Sequence, residues 1–172
     1  MSGSSDQART IYLTGLRNQH AVENQAIELL ERQVGRLENY PAMRERMQQH
    51  IAESREQARR IEELLGGLGT SESGFKDTVA SFMGNMAAMA HAPAPDEVIK
   101  NTFANFAFEH YEIASYKSLL TLAEITAHSA ATSALRQSLA EEEAMAQWIN
   151  DHLDETTRMF VRRSEAGVTA GR

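Results

Sequence analysis

Apolar residues recur along most of this chain at alternating steps of three and four, the spacing that keeps one face of an α-helix against a core. In the first such stretch, about Ile11 to Asn39, Leu13, Leu16, Ile27, Leu30, Val34 and Leu37 keep the step, and the two seam places left over hold His20 and Glu23. Tyr40 and Pro41 interrupt it, because proline lacks an N–H and disfavours helix in the residue before it. The second stretch, about Ala42 to Leu65, has the seam Met43, Met47, His50, Ser54, Gln57, Ile61, Leu64 and Leu68. Both seams are apolar at the ends and polar in the middle, and the short link between them predicts antiparallel neighbours.

Gly66, Gly67 and Gly69, followed by Thr70 to Gly74, predict a helix stop and a joint. A shorter helix is expected over Phe75 to Ala90, before Pro93 and Pro95; at about 1.5 Å per residue it covers about 24 Å, close to a bundle's length. This extra helix reads as a crossover that returns the chain to its starting end, so that the second and third long helices run parallel. Asp96 is a suitable N-cap for the third, which runs to about Ala127 with the seam Thr102, Phe106, Glu109, Ile113, Tyr116, Leu120 and Ala123. The fourth, about Ala131 to Phe160, has the seam Leu135, Leu139, Glu142, Ala146, Ile149 and Leu153. The pattern predicts an all-α four-helix bundle over residues 11–160, with flexible tails at 1–10 and 161–172.

Composition agrees. The 172 residues suit one domain, good helix formers dominate, only three prolines occur and aromatics make up 6%. With no cysteine, thiolate metal sites and disulfides are excluded, and a reducing, cytoplasmic setting is expected. Met1 to Thr10 holds no apolar run, and no stretch reaches the roughly 20 apolar residues of a membrane span, so a soluble protein is expected. A net charge of −7 and a pI near 5.4 argue against nucleic acid. The local basic groups Arg55, Arg59 and Arg60, and Arg162 and Arg163, lie among acids and read as solvated helix faces. No Gly-rich loop follows a strand, so neither nucleotide nor flavin is expected.

The polar seam positions carry the chemistry. Each long helix places a carboxylate on or beside its inward face near mid-length: Glu23, Glu53, Glu109 with Glu112, and Glu142. A buried carboxylate costs several kcal/mol unless it is neutralised, paired or coordinated, so such a layer calls for something positive. Bundles that hold two iron or manganese ions use inward glutamates from all four helices, since two dications offset about four negative charges. Those sites usually add a histidine three residues after a glutamate, whereas here Glu56 follows Glu53 and Met145 follows Glu142. By helical phase Glu56 points away and Gln57 lies on the seam. His20 and His50, one turn from Glu23 and Glu53, either ligate or hold a carboxylate by hydrogen bond, while His110 lies off the seam. Gln19-His20-x-x-Glu23 and Gln49-His50-x-x-Glu53 form a weak internal repeat. Tyr116, on the seam, is a better partner for a metal pair than Tyr111. Met83, Met86 and Met89 with His91 have soft-metal character, but their spacing reads first as a core stripe.

The runs His20-Ala-Val-Glu23-Asn-Gln25, His50-Ile-Ala-Glu53-Ser with Gln57, Phe108-Glu109-His110-Tyr111-Glu112-Ile113-Ala114-Ser115-Tyr116 and Leu139-Ala-Glu141-Glu142-Glu143 resemble the YciF-like family of ferritin-like proteins over about Leu13 to Leu153. The Glu-His-Tyr-Glu-Ile-Ala segment is the most specific part. The resemblance implies a ferritin-like bundle related to rubrerythrins, a di-iron or other di-metal centre and an association with bacterial stress responses. It also implies the loss of two ligands, because family members carry a histidine where Gln57 stands and an acid where Ala146 stands. The leading expectation is a carboxylate protein that binds two iron or manganese ions through Glu23, Glu53, Glu109, Glu112 and Glu142, with a ferroxidase-like reaction toward oxygen or peroxide. The competing one is a non-catalytic stress or structural bundle whose acids are satisfied by His20, His50, Gln57, Tyr116 and water. A homodimer or protein-interaction module is a third.

Overall fold

In the computed structural model, residues 2–71 and 94–172 are described, with side chains from residue 6 onward. Four long helices occupy them: α1 (Ser2–Val34), α2 (Pro41–Gly67), α3 (Glu97–Ile125) and α4 (Thr132–Glu165), the last entered through a 3-10 turn at Ser129–Ala131. No strand occurs among the described residues, and no described helix is long and apolar enough to cross a membrane.

Cross-helix bonds fix the topology. His20 reaches Glu62 and Glu31 reaches Arg55, so α1 and α2 are antiparallel. Tyr116 meets Glu23 and Asn105 meets Gln33, so α3 is also antiparallel to α1. Arg60 on α2 holds Glu141 on α4, and Lys117 on α3 holds Glu143 on α4. The helices form a square in which α2 and α3 are a parallel diagonal pair, so α2 ends and α3 starts at opposite ends of the bundle. A second and third helix that run parallel are the ferritin-like arrangement. The helix expected at Phe75 to Ala90, with Met83, Met86, Met89 and His91, lies outside the described residues.

Local chemistry sets the helix ends. Pro41 opens α2, where a missing N–H costs nothing, and Arg9 and Arg17 donate to the carbonyls of Leu68 and Ser71 just beyond its end. Asp96 stands at the N-cap of α3 as expected, but its carboxylate pairs with Lys100 at 2.8 Å instead of capping a backbone N–H. The start of α3 is anchored by its neighbour: the buried Glu97 carboxylate receives two guanidinium nitrogens of Arg36 from the α1–α2 link.

Two apolar clusters fill the ends of the bundle. One gathers Tyr12, Leu16, Ile61, Leu65, Leu119 and Leu135; the other gathers Leu30, Leu37, Tyr40, Met43, Met47, Val98 and Ile149. A polar layer lies between them.

Both chain ends differ from the sequence expectation. α1 begins at Ser2, not near Ile11, and ends at Val34, short of Asn39; the sequence from Ser2 to Thr10 has too few apolar residues to leave a periodic trace. α4 continues through Val161 to Glu165, and Gly167 at φ +69° reverses the chain. The returning segment packs on the bundle's end: Tyr40 donates its hydroxyl to the Ala170 carbonyl at 2.6 Å, Asn39 donates to the Arg172 carbonyl, and Ala170 is buried. A Cβ at Gly171 would come 2.5 Å from the Pro95 oxygen, so only glycine fits there. This strap is aperiodic because its bonds go to other segments.

Tyr40→Phe removes the hydroxyl donor while keeping the ring, and should lower stability by about 1 kcal/mol in urea unfolding. Amides 168–172 should lose hydrogen-exchange protection in the same variant; unchanged protection would show that the strap does not depend on Tyr40.

Candidate metal centre

The middle layer takes Gln19 and Glu23 from α1, His50, Ser54 and Gln57 from α2, Glu109, Glu112 and Tyr116 from α3, and Ser138 and Glu142 from α4; none is more than 1% exposed. Glu23, His50, Ser54, Gln57, Glu109, Tyr116 and Glu142 sit where the apolar seams of their helices would continue, and Gln19, Glu112 and Ser138 lie beside those seams.

On one side of the layer, His50 Nε2 lies 3.1 Å from Glu109 Oε2 and 3.6 Å from Glu142 Oε2. One ligand atom from each of the three residues lies within 4.8 Å of the others. The opposite ring nitrogen, Nδ1, bonds Glu53 Oε2 at 2.9 Å, and Glu53 is itself held by Arg46 at 3.0 Å and Gln49 at 2.9 Å. That chain fixes the imidazole plane and aims Nε2 into the layer. On the other side, Gln19 donates to Glu23 at 2.8 Å and to Glu112 at 3.3 Å, and the Tyr116 hydroxyl donates to Glu23.

These bonds do not exhaust the layer. Glu23 Oε2, His50 Nε2, Glu109 Oε2, Glu112 Oε2 and both oxygens of Glu142 are buried without a hydrogen-bond partner. Such groups normally find partners. Carboxylate oxygens with one imidazole suit Fe, Mn or Zn dications, so the residues fit a metal ion, with His50, Glu109 and Glu142 as the group able to hold it.

Electrostatics agree. Burial pushes the Glu23 carboxyl up to about 7 against its bonds from Tyr116 and Gln19. Burial, then the charges of Glu23, Glu142 and Glu109, hold Glu112 well above the usual range, and burial and the charge of Glu109 do the same to Glu142. Burial would raise Glu109 too, but the facing His50 brings it below its ordinary value. For His50, burial alone would lower the pKa; Glu109, Glu53 and Glu142 together raise it well above 6.5. Glu53, despite partial burial, is brought down to about 2 by His50 and Arg46.

Of the expected site residues, Glu23, Glu109, Glu112, Glu142, His50, Gln57 and Tyr116 meet in the layer. Glu53 does not: its side chain is 19% exposed and its oxygens are taken by Arg46, Gln49 and His50, so it faces the layer only through the imidazole. His20 is displaced to the α1–α2 flank, 2.8 Å from Glu62. Gln57 donates to Glu141 at 3.0 Å and leaves its Oε1 buried and unpartnered. Glu56 is exposed beside Arg59, His110 is exposed with its ring edge-on to Phe106, and Tyr111 is at the surface. Gln19 and Glu141 stood in the motifs without being expected at the site, and Arg46 carried no signal in the sequence. The repeat held the signal for the first, because in both copies the glutamine donates to the glutamate four residues on.

A four-helix bundle whose second and third helices run parallel, with inward carboxylates from three of its helices facing an imidazole on the fourth, defines a ferritin-like protein with a candidate metal-binding layer. Residues 7–162 match the family described as Domain of unknown function (DUF892), and the chain belongs to that family. Three solved structures share the fold. A protein from Xanthomonas campestris pv. campestris is 26% identical with a TM-score of 0.78, covering 92% of this chain and 99% of its own. YcfI from Rhodopseudomonas palustris, described as a proposed structural protein, is 25% identical with a TM-score of 0.73, covering 83% and 92%. The E. coli stress protein YciF is 23% identical with a TM-score of 0.73, covering 85% and 94%. The YciF-like resemblance of the motifs therefore holds.

Glu23, Glu112, Glu142 and His50 all have raised folded-state pKa values, so the metal-free folded protein holds more protons than the unfolded chain above about 4.5. Their stabilisation is complete at low pH and is lost as pH rises through the folded values, about 7 for Glu23. Glu53 and Glu109, with lowered values, act in the opposite sense and only below about 4.5. Chelator-treated protein should therefore melt several degrees lower at about pH 8 than at about pH 5.5, and Mn(II) should reverse the loss. A flat profile with no response to metal would contradict this electrostatic description.

Proposed function

We propose that this chain is a ferritin-like metal-binding protein that holds iron or manganese in its central carboxylate layer. The observation that carries the reading is the gathering of buried carboxylate oxygens without hydrogen bonds around His50 Nε2. His50, Glu109 and Glu142 would hold one ion, and Glu23 and Glu112 would supply oxygens to a second. Bound iron would supply one-electron oxidation chemistry, and a ferroxidase-like reaction toward oxygen or peroxide, of use in oxidative stress, is the activity such a centre would support. Glu53 would keep the imidazole oriented and basic, while Tyr116 and Gln19 would hold Glu23 in place. The flanking apolar clusters would keep bulk water out of the layer.

A structural role without turnover is the second reading, favoured by the pairing of Glu109 with His50, by the hydrogen bond from Tyr116 to Glu23 and by the description of YcfI. Anaerobic calorimetric titration with Fe(II) and Mn(II) separates the two. Metal binding is expected, lost in Glu142→Ala and unaffected in Glu56→Ala, while Glu53→Gln should weaken it about 10- to 100-fold. Equal affinities in all four proteins, or no binding to the parent, would favour the structural reading.

A further inference from the structure

A buried layer that exchanges an ion with solvent needs a route, and among the described residues the four faces of the bundle are not equally closed. Between α1 and α3, Val22, Ala26 and Phe108 pack together, as do Leu29 and Ala104, all buried. Between α2 and α4, Arg60 grips the Glu141 carboxylate with two nitrogens and Gln57 adds a third bond; the Arg60 and Glu141 side chains are only 12% and 19% exposed. Between α1 and α2, His20 bonds Glu62 and Arg17 bonds Thr70 and the Ser71 carbonyl.

The α3–α4 face differs. It carries a groove of about 470 Å³ lined by Phe106, His110, Ile113 and Lys117 from α3 and by Glu143, Ala146, Gln147 and Asn150 from α4. Ile113 follows Glu109 by four residues and Ala146 follows Glu142 by four, about 40° around each helix. Both are nearly buried, at 9% and 4% exposure, so they form the floor between groove and ligand carboxylates. Ala146 offers a single methyl group there. The ion pair spanning the groove, Lys117 with Glu143 at 2.9 Å, is 58% and 49% exposed, unlike the Arg60–Glu141 lock, and exposed pairs of this kind cost little to open.

We infer that the α3–α4 groove is the passage by which a divalent cation reaches the buried layer, with Glu143 as the carboxylate that meets it and Lys117 as the counter-charge that must swing aside. This rests on the metal-binding reading above. Ala146 is a positioning residue whose small size keeps the floor passable, and Glu143 gives the mouth an oxygen ligand that exchanges with a cation's hydration water.

Stopped-flow loading with Co(II), followed by its visible absorption, tests the passage without any measurement of activity. Ala146→Leu, and Asn150→Trp on the exposed rim, should slow association about tenfold and slow dissociation equally, leaving Kd unchanged. Lys117→Gln, which leaves Glu143 unpaired, should speed association severalfold, with the gain lost at high salt. Arg60→Gln should leave the rate unchanged. If Co(II) binds tightly but the groove variants load at the parental rate, or Arg60→Gln alone accelerates loading, the passage is elsewhere and the metal-binding reading stands. If Co(II) does not bind the parent at equilibrium, both fall. Asn150→Trp, on exposed surface, keeps the test decisive should Ala146→Leu fail to fold.

Discussion

Burying several carboxylates in one layer is the constraint on which this structure depends. A lone buried ion costs several kcal/mol, and like charges gathered in a low-dielectric space add to that cost. The bundle places Glu23, Glu109, Glu112 and Glu142 within its middle, all at 1% exposure or less. It offsets part of the cost through His50, Tyr116 and Gln19, and leaves six ligand atoms without a hydrogen bond. The apolar clusters on either side carry the packing that tolerates this layer, and Arg36–Glu97 and the Tyr40 strap close the bundle beyond one of them.

The layer is asymmetric, and the asymmetry arises from a near-repeat of sequence. In α1 the motif Gln-His-x-x-Glu turns its glutamine and glutamate inward and its histidine to the flank; in α2 it turns the histidine inward and leaves the glutamate at the edge. The same residues thus provide a carboxylate from one helix and an imidazole from the other, with Glu53 held by Arg46 to orient the ring. A site built this way needs no histidine three residues after a glutamate.

The helices and the polar middle were legible because apolar residues cluster at each helix's ends and polar ones at its centre. Glu109, Glu142, Gln57 and His50 follow from phase alone. His20 and Gln19 were exchanged because α1 supports two seams one residue apart, Leu13–Leu16–His20–Glu23 and Tyr12–Leu16–Gln19–Glu23. Both alternate threes and fours, and only packing against α3 selects the second. Glu53 lies near the inward face, and what removes it from the layer is Arg46, seven residues earlier on the same helix, whose guanidinium takes its carboxylate at 3.0 Å. The strap could not be read from periodicity, since its order comes from Tyr40, Asn39 and Pro95, more than 70 residues distant in sequence.

Fold similarity places this chain beside one protein with a proposed structural role and another described as a stress protein, so the deciding property is whether the polar layer holds metal through His50. The most direct measurement is pulsed electron paramagnetic resonance of the Mn(II)-loaded protein, which detects nitrogen bound to the ion. The account requires coupling to a single imidazole nitrogen, abolished in His50→Gln and retained in His20→Gln. Bound manganese without nitrogen coupling, or coupling that survives His50→Gln, would contradict it.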